Sequence, residues 1–382
     1  MKKILVLGGV GAMATETSYD LIETSEFSEI TIADIDLQKA EAFVKNAGDK
    51  RLKFAKVDAE DVARMAELMA GYDIVANGLP RIYCENAIRA AIKTRVDMLD
   101  LISPHQETLA LNGEAQKAGI AIVGGVGMTP GLTNILAKLG SERLDTVESI
   151  DIDFAAFRGI AYSPGLLHVI LWEFDPKTKD RSYYENGEFI DNPPFAGARV
   201  VHFPEPIGTQ TTYYVPHGEP RTLSKNTPGV KRVSIRGCFP PEAMAMCRVM
   251  YAYGTFTKEP IEFEGKKISA DKFLRHYLTT VPEGNQTSVW GYSVQVEVCG
   301  TAGKNRVMHR FVTTHPPMDT WGGTRAYAKN VGIPMSVGAQ MMARGLTMKK
   351  GVDGVESMLP AQEFANELRK RNIAINESLI YL

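Results

Sequence analysis

The sequence predicts an α/β protein: an N-terminal doubly wound parallel sheet of the Rossmann type, then an inserted α+β domain with a largely antiparallel sheet. Three observations carry this reading. A glycine-punctuated strand-to-helix turn stands at the N-terminus. Strand-like and helix-like runs then alternate six times. From Ser149 to His315 the texture changes to alternating, aromatic-rich stretches separated by turn residues. Alternating β and α runs build parallel sheets because each crossover needs a helix, whereas period-two alternation marks strands with one covered face.

The opening run Lys2-Lys3-Ile4-Leu5-Val6-Leu7 reads as a strand buried on both faces, and Thr15 to Thr24 continues at helical spacing. Between them Gly9-x-Gly11-x-x-Ala14 has the spacing of a dinucleotide fingerprint. Gly9 permits the tight turn, Gly11 keeps side-chain atoms away from a pyrophosphate, and Ala14 lets the helix sit close on the strand. The helix N-terminus, at Ala12 and Met13, offers free N–H groups and a partial positive charge to phosphates. A second apolar run, Ile30 to Ala33, ends in Asp34. An aspartate there accepts hydrogen bonds from both hydroxyls of an adenosine ribose and repels a 2′-phosphate. Ile35 and Asp36 follow it, with no arginine, so NAD is expected in preference to NADP.

A charged helix over Leu37–Ala47 leads to a third strand, Leu52–Val57, ending at Asp58. Asp58 sits where an adenine edge commonly lies, and serves equally as an N-cap for the next helix. The helix Val62–Met69 and the strand Asp73–Asn77 follow. Asn77, Gly78 and Leu79 then form the loop where a nicotinamide ribose would pass. Beyond come the helix Cys84–Thr94, the strand Asp97–Asp100, a helix over Glu107–Ala118 and a sixth strand, Ile120–Val123. The glycine-dense turn Gly124 to Asn134 opens a helix over Leu132–Glu142. Helices at Pro240–Tyr251 and Ala270–Thr279 interrupt the alternating region. Tyr327–Met342 reads as a packed helix, Ala361–Arg371 as an amphipathic one, and Ile373–Tyr381 follows. The divisions expected are 1–130 for the cofactor domain, 131–325 for a substrate-binding and dimerisation domain, and 326–382 for a segment folding back onto the first.

Composition excludes several function classes. With 382 residues, two domains are expected, and a net charge of −2 gives no reason to expect nucleic acid or a membrane surface as partner. No stretch approaches the roughly 18 apolar residues of a membrane span, and the N-terminus does not resemble a signal peptide. Cys84, Cys238, Cys247 and Cys299 lack metal-ligand spacing and read as reduced thiols of a cytoplasmic protein, so no metal is expected.

Three stretches resemble the saccharopine dehydrogenase family: ILVLGGVGAMA with TIADID, then GVGMTPGLTNILA, and finally AKNVGIPMSVGAQMMARG with GVESMLPAQEF. Within that family the ADID ending looks more like the NAD-using lysine 6-dehydrogenases. The NADP-using saccharopine and carboxynorspermidine enzymes usually carry a serine-arginine pair at that turn, which this chain lacks. The resemblance implies hydride transfer between a nicotinamide and a carbon bearing an amine. In the lysine 6-dehydrogenase reading, hydride leaves C6 of lysine and the imine is hydrolysed. In the alternative, a saccharopine- or carboxynorspermidine-type enzyme forms or breaks a secondary amine. A non-catalytic nicotinamide-binding scaffold is the third reading.

Site residues follow from strand ends and loops. Asp100, ending the fifth strand, would pair with a substrate ammonium or serve as a structural carboxylate. Arg81 would hold a substrate carboxylate, or lie solvated; Tyr83 flanks the same loop. Thr129, Pro130, Gly131 and Asn134 offer a hydroxyl, backbone N–H groups and a helix N-terminus, or simply a capped helix. His217, with Glu219, Arg221, Thr209 and Thr222 nearby in sequence, is the expected general base, because an unperturbed imidazole titrates nearest neutrality. His168, His202 and His309 lie on strand-like runs and are expected to be structural. The expected partner is a small amino-acid or polyamine-like molecule, acting on a homodimer.

Overall fold

The computed structural model describes residues 1–102, 104–159, 163–254, 259–281 and 291–382. Six strands, β1 (Lys3–Leu7), β2 (Glu29–Asp34), β3 (Leu52–Lys56), β4 (Ile74–Asn77), β5 (Asp97–Asp100) and β6 (Ala121–Gly124), alternate with helices. The inserted region supplies β7 (Thr146–Phe157), β8 (Ser182–Glu185), β9 (Glu188–Asp191), β10 (Arg199–His202), β11 (Thr209–Tyr214) and β12 (Arg232–Cys238). It continues with a small hairpin, β13 (Ile261–Phe263) and β14 (Lys266–Ile268), then β15 (Gly291–Ala302) and β16 (Asn305–Thr314). The tail adds β17 (Gly351–Gly354) and β18 (Ala374–Tyr381).

The first sheet is parallel throughout, in the order β17-β6-β5-β4-β1-β2-β3. Strand β1, inside this sheet, is apolar because both faces are covered: Ile4 to Leu7 are each 0% exposed. Burying one such side chain contributes roughly 1.5–3 kcal/mol. The strand order reverses between β1 and β4, and ligands of such sheets bind beyond the carboxyl ends at that switch. Register brings Leu7, Ala33 and Asn77 level there, with Asp100 beside Asn77.

The second sheet runs β10-β11-β12-β7-β15-β16-β18, with β8 on β12 and β9 on β8. Only the β7–β12 pair is parallel among its described neighbours. One buried cluster from Ile4 to Ile375 is shared by both sheets. Two helices weld it. Helix Leu132–Ser141 lies on β15 so closely that a Cβ at Gly140 would come 2.7 Å from Val298 Cγ2. Helix Ala326–Ala343 crosses the N-terminal helix Ala12–Thr24 at Gly332, whose carbonyl accepts a 2.9 Å hydrogen bond from Thr17 Oγ1. Ion pairs from the tail reinforce that crossing: Arg325 grips Glu16 at 2.6 and 2.9 Å, and Arg371 grips Asp20 at 3.0 and 2.9 Å.

Three expectations need correction. The tail does not simply return to the first domain: β17 joins the parallel sheet beside β6, but β18 crosses back to β16 of the second sheet. The helix expected over Glu107–Ala118 is two short helices, Gln106–Leu109 and Asn112–Ala118. His168 lies on the exposed side of helix Pro164–Phe174 rather than on a strand. Among the described residues no helix is long and apolar enough to cross a membrane.

Candidate active site

The fingerprint turn has the shape a dinucleotide needs. Gly8 is left-handed, at φ +64°, and the Gly11 N–H donates back to its carbonyl at 2.8 Å. A side chain at Gly9 would meet Ile32 Cγ2 at 2.7 Å, so β1 and β2 leave room for glycine alone. Gly11 is the N-cap of helix Ala12–Thr24 and has no side chain to cap it. Its first amides, at Ala12 and Met13, therefore keep their donor capacity for phosphate. Asp34 sits beside the turn: Oδ2 accepts from the Val10 N–H at 3.3 Å and Oδ1 from the Asp36 N–H at 3.1 Å. Ile35 next to it is 64% exposed, an apolar side chain where a phosphate-binding enzyme would place a cation. Gly78 closes the other wall, since a Cβ there would come 2.8 Å from that of Ala14. These residues fit a nicotinamide dinucleotide.

Asp100 is a closed carboxylate. It is buried, and it accepts from Asn77 Nδ2 at 2.7 Å, the Ile102 N–H at 2.7 Å and the Cys84 thiol at 3.6 Å. Burial lifts its pKa to about 6, against the opposing pull of those hydrogen bonds. Asn77 Oδ1 in turn accepts from the Leu79 N–H at 3.2 Å, so the pair ties the ends of β4 and β5 together. Asp100 thus spends three hydrogen bonds within the fold, as the structural alternative requires.

A second acidic group is open. Helix Pro164–Phe174 carries Glu173 at its C-terminal end, which buried Arg181 clamps by donating to the Glu173 and Asp175 carbonyls at 3.2 and 3.1 Å. The Glu173 carboxylate reaches His217, with Oε1 3.3 Å from Nε2. On the other side Glu219, at the start of helix Glu219–Asn226, lies 3.7 Å from Nδ1. Both glutamates are buried, and His217 stacks on Phe154 at 5.3 Å. Burial alone drives the imidazole pKa down; the hydrogen bond with Glu173, then the bond and charge of Glu219, overcome it and hold it at about 10. The expectation of a histidine poised near neutrality is therefore corrected: Glu173 and Glu219 raise the pKa of His217 and favour its charged form. Among the described residues Glu173 Oε2 has no hydrogen-bond partner, and Glu219 Oε2 and His217 Nδ1 face each other at 3.7 Å, too far for a full hydrogen bond. Buried polar atoms are rarely left so, and each marks a place for a ligand or water.

Aromatic rings connect this cluster to the cofactor side. Phe154 stacks on Tyr292 at 6.0 Å and Tyr292 meets Tyr327 at 5.3 Å. Thr129 Oγ1, on the turn after β6, is hydrogen-bonded to the Tyr292 hydroxyl. Tyr327 rides on the helix that crosses the fingerprint helix at Gly332. Arg81, following β4, lies over Trp172 at 5.5 Å, next to Glu173. The site thus stands between the carboxyl edge of the first sheet and the second domain.

The remaining expected residues separate. Gly131, at φ +138°, turns the chain where a Cβ would collide with the Gly127 backbone, and the Pro130 carbonyl accepts from the Gly127 N–H at 3.0 Å. Asn134 is consumed in a buried knot: it accepts from the Gly131 N–H and donates to Thr222 and Glu356, each at 3.1 Å. Its neighbour Thr133 donates to Glu219 at 3.2 Å and so steadies the cluster. Tyr83 points its hydroxyl to Glu60 at 3.3 Å, on the side of Asp58, which accepts from the Glu60 N–H at 2.9 Å in an exposed turn. Thr209 is not near His217; it pairs with His202 at the exposed end of β11. Arg221 turns outward to Asp180 at 2.5 Å. Sequence reasoning missed Glu173, Phe154, Arg158, Tyr292 and Tyr327. A signal existed for two of them: Glu173 and Arg158 are single charges in apolar runs (LLHVILWEF, FAAFRG).

Comparison with known proteins agrees with this architecture. Residues 4–123 match the saccharopine dehydrogenase NADP-binding domain, and residues 127–373 match the saccharopine dehydrogenase C-terminal domain. Carboxyaminopropylagmatine dehydrogenase of Synechocystis sp. is 24% identical, with 94% of each chain covered. The NADP⁺-dependent, L-glutamate-forming saccharopine dehydrogenase of Saccharomyces cerevisiae is 27% identical over 36% of this chain and 29% of that one. The apo L-glutamate-forming saccharopine dehydrogenase structure from Saccharomyces cerevisiae superposes with a TM-score of 0.73 at 16% identity over the full length of both. A homospermidine synthase from Legionella pneumophila in complex with NAD gives 0.62 at 11% identity, over 99% of this chain and 91% of that one. The chain belongs to the saccharopine dehydrogenase family and is an oxidoreductase of that family, using a nicotinamide cofactor.

Proposed function

We propose that this protein is an NAD-preferring dehydrogenase acting on the CH–NH bond of a secondary amine derived from an amino acid. The observation that carries it is the Glu173–His217–Glu219 cluster. Two acidic side chains flank one histidine in a buried cluster that favours a positive charge, and among the described residues Glu173 Oε2 has no hydrogen-bond partner while Glu219 Oε2 faces only His217 Nδ1, at 3.7 Å. A substrate ammonium brings that positive charge and supplies donors to the glutamate oxygens. The nicotinamide, when bound, supplies the hydride acceptor. The chain must hold the amine-bearing carbon in place and take up the proton that the ammonium loses. Glu173 and Glu219 are the groups placed to take it, with His217 holding the two apart and oriented. Rings Phe154, Tyr292 and Tyr327 exclude water from that exchange.

The secondary amine is favoured over free lysine because the relative matched along almost its whole length is named for a carboxyaminopropyl-substituted amine. Oxidation of lysine at C6 is the second reading. It is favoured by Asp34 followed by Ile35, the pattern that resembles the NAD-using lysine enzymes.

The test is absorbance of reduced nicotinamide with NAD⁺ and NADP⁺ across saccharopine, carboxyaminopropylagmatine and lysine. Turnover of a secondary amine and not of lysine supports the reading. Turnover of lysine alone moves the protein to the second, and silence on all of them overturns both. In the same assay Asp34→Ser with Ile35→Arg should shift the NAD-to-NADP ratio by roughly tenfold or more. An unchanged ratio would remove Asp34 from the ribose site.

A further inference from the structure

Arg158 is a buried cation with no carboxylate partner among the described residues. It follows β7 and is 1% exposed. Nη1 donates to the Gly159 carbonyl at 3.4 Å and Nη2 to the Leu166 carbonyl at 3.1 Å, while Nε has no partner. Among the described residues these neutral main-chain oxygens are its hydrogen-bond acceptors, with no carboxylate among them. The guanidinium lies over two rings, 5.1 Å from the centre of Tyr327 and 5.4 Å from that of Phe239. A desolvated charge held this way is costly unless an anion completes it.

The rings tie Arg158 into the amine site. Phe239 meets Phe154 edge-on at 6.3 Å, and Phe154 stacks on both His217 and Tyr292. Tyr292 meets Tyr327, which returns to Arg158. The circuit closes, with a cation lacking a carboxylate partner on one side and the glutamate–histidine cluster on the other. Apolar ring faces lie between.

We infer that Arg158 anchors a carboxylate of the substrate, so that the site takes a zwitterionic amine whose methylene chain spans the ring faces. This rests on the Glu173–His217–Glu219 cluster being the amine end. A guanidinium suits this role because its planar fork matches a carboxylate, and because it stays charged when buried. Specificity then follows from the unpaired group: a substrate lacking the carboxylate leaves Arg158 uncompensated.

The experiment compares each carboxylated amine oxidised by the wild-type protein with the same amine lacking the carboxylate, for example lysine with 1,5-diaminopentane. Wild type, Arg158→Gln and Arg158→Lys are assayed, and binding to the NAD⁺-loaded protein is followed by calorimetry. The wild type should favour the carboxylated member by about 10²-fold in kcat/KM. Arg158→Gln should erase most of that preference through KM, with kcat and the KM for NAD⁺ nearly unchanged. Arg158→Lys should recover part of it. Equal use of both amines by the wild type would overturn the inference. So would an equal loss on both in Arg158→Gln, or a raised KM for NAD⁺, which would assign the guanidinium to the fold or to the cofactor. If no amine is oxidised, the functional reading fails, and calorimetry decides Arg158 separately. Carboxylate-dependent binding that Arg158→Gln weakens upholds it; binding indifferent to the carboxylate, or none, refutes it.

Discussion

Two buried carboxylate clusters in this molecule differ in one respect. At the end of β5, Asp100 has its oxygens engaged by Asn77, the Ile102 N–H and Cys84. In the second domain, among the described residues, Glu173 Oε2 has no donor and Glu219 Oε2 faces only His217 Nδ1, at 3.7 Å. Both clusters are desolvated and both perturb a titration, Asp100 and His217 upward. Burial and a shifted pKa therefore do not separate a structural carboxylate from a functional one. Unspent hydrogen-bonding capacity does, because a closed group gains nothing from a ligand and an open one gains a bond it lacks.

The comparison breaks most visibly at the open cluster. Glu173→Gln and Glu219→Gln keep the shape and remove the charge, and each should lower kcat/KM about 10²–10³-fold while the fold persists. Steady-state kinetics with a thermal melt alongside decides it, and near-wild-type turnover would strip the cluster of its role. The closed cluster should behave in the opposite way. Asp100→Ala leaves the Asn77 amide and the Ile102 N–H without an acceptor, costing about 2–4 kcal/mol in denaturant unfolding. Turnover of the folded fraction should stay within about threefold. A collapse of activity with stability intact would reverse the two assignments.

The same contrast explains what the sequence made legible. The fingerprint, Asp34 and the alternating βα runs were readable because their chemistry is local: Gly9, Gly11 and Asp34 act within one βαβ unit. The destination of β18 was not, since an amphipathic segment at the chain end fits either sheet and only packing chooses. Asp100 and His217 were singled out as titratable residues at a strand end and in a loop. What they meet is set by residues distant in sequence, 23 positions away for Asn77 and 44 for Glu173. Glu173 itself stands in the run Leu166 to Phe174, whose apolar character conceals it. Thr129 and Tyr292, 163 residues apart, meet only because the Gly127–Gly131 turn abuts β15. Site residues were thus legible where one segment suffices and hidden where the second domain supplies the partner.

The smallest expected effect concerns the sign of the pH dependence, on which the two clusters oppose each other. Asp100 has a carboxyl raised to about 6, so its burial costs stability above that pH. The cost fades as pH falls from 6 towards 3.8, where the unfolded chain also takes up the proton. His217 has an imidazole raised from 6.5 to about 10 by its two glutamates. Its pairing therefore contributes fully below pH 6.5 and is lost as pH rises towards 10, because the folded state then gives up a proton the unfolded state has already released. Melting temperatures of the wild type and His217→Gln, taken in parallel from pH 6 to 10, isolate this group, since other titrations cancel in the difference. The wild-type advantage should shrink by roughly 2–4 °C across that range. A constant offset would mean that the folded protein holds the imidazole neutral.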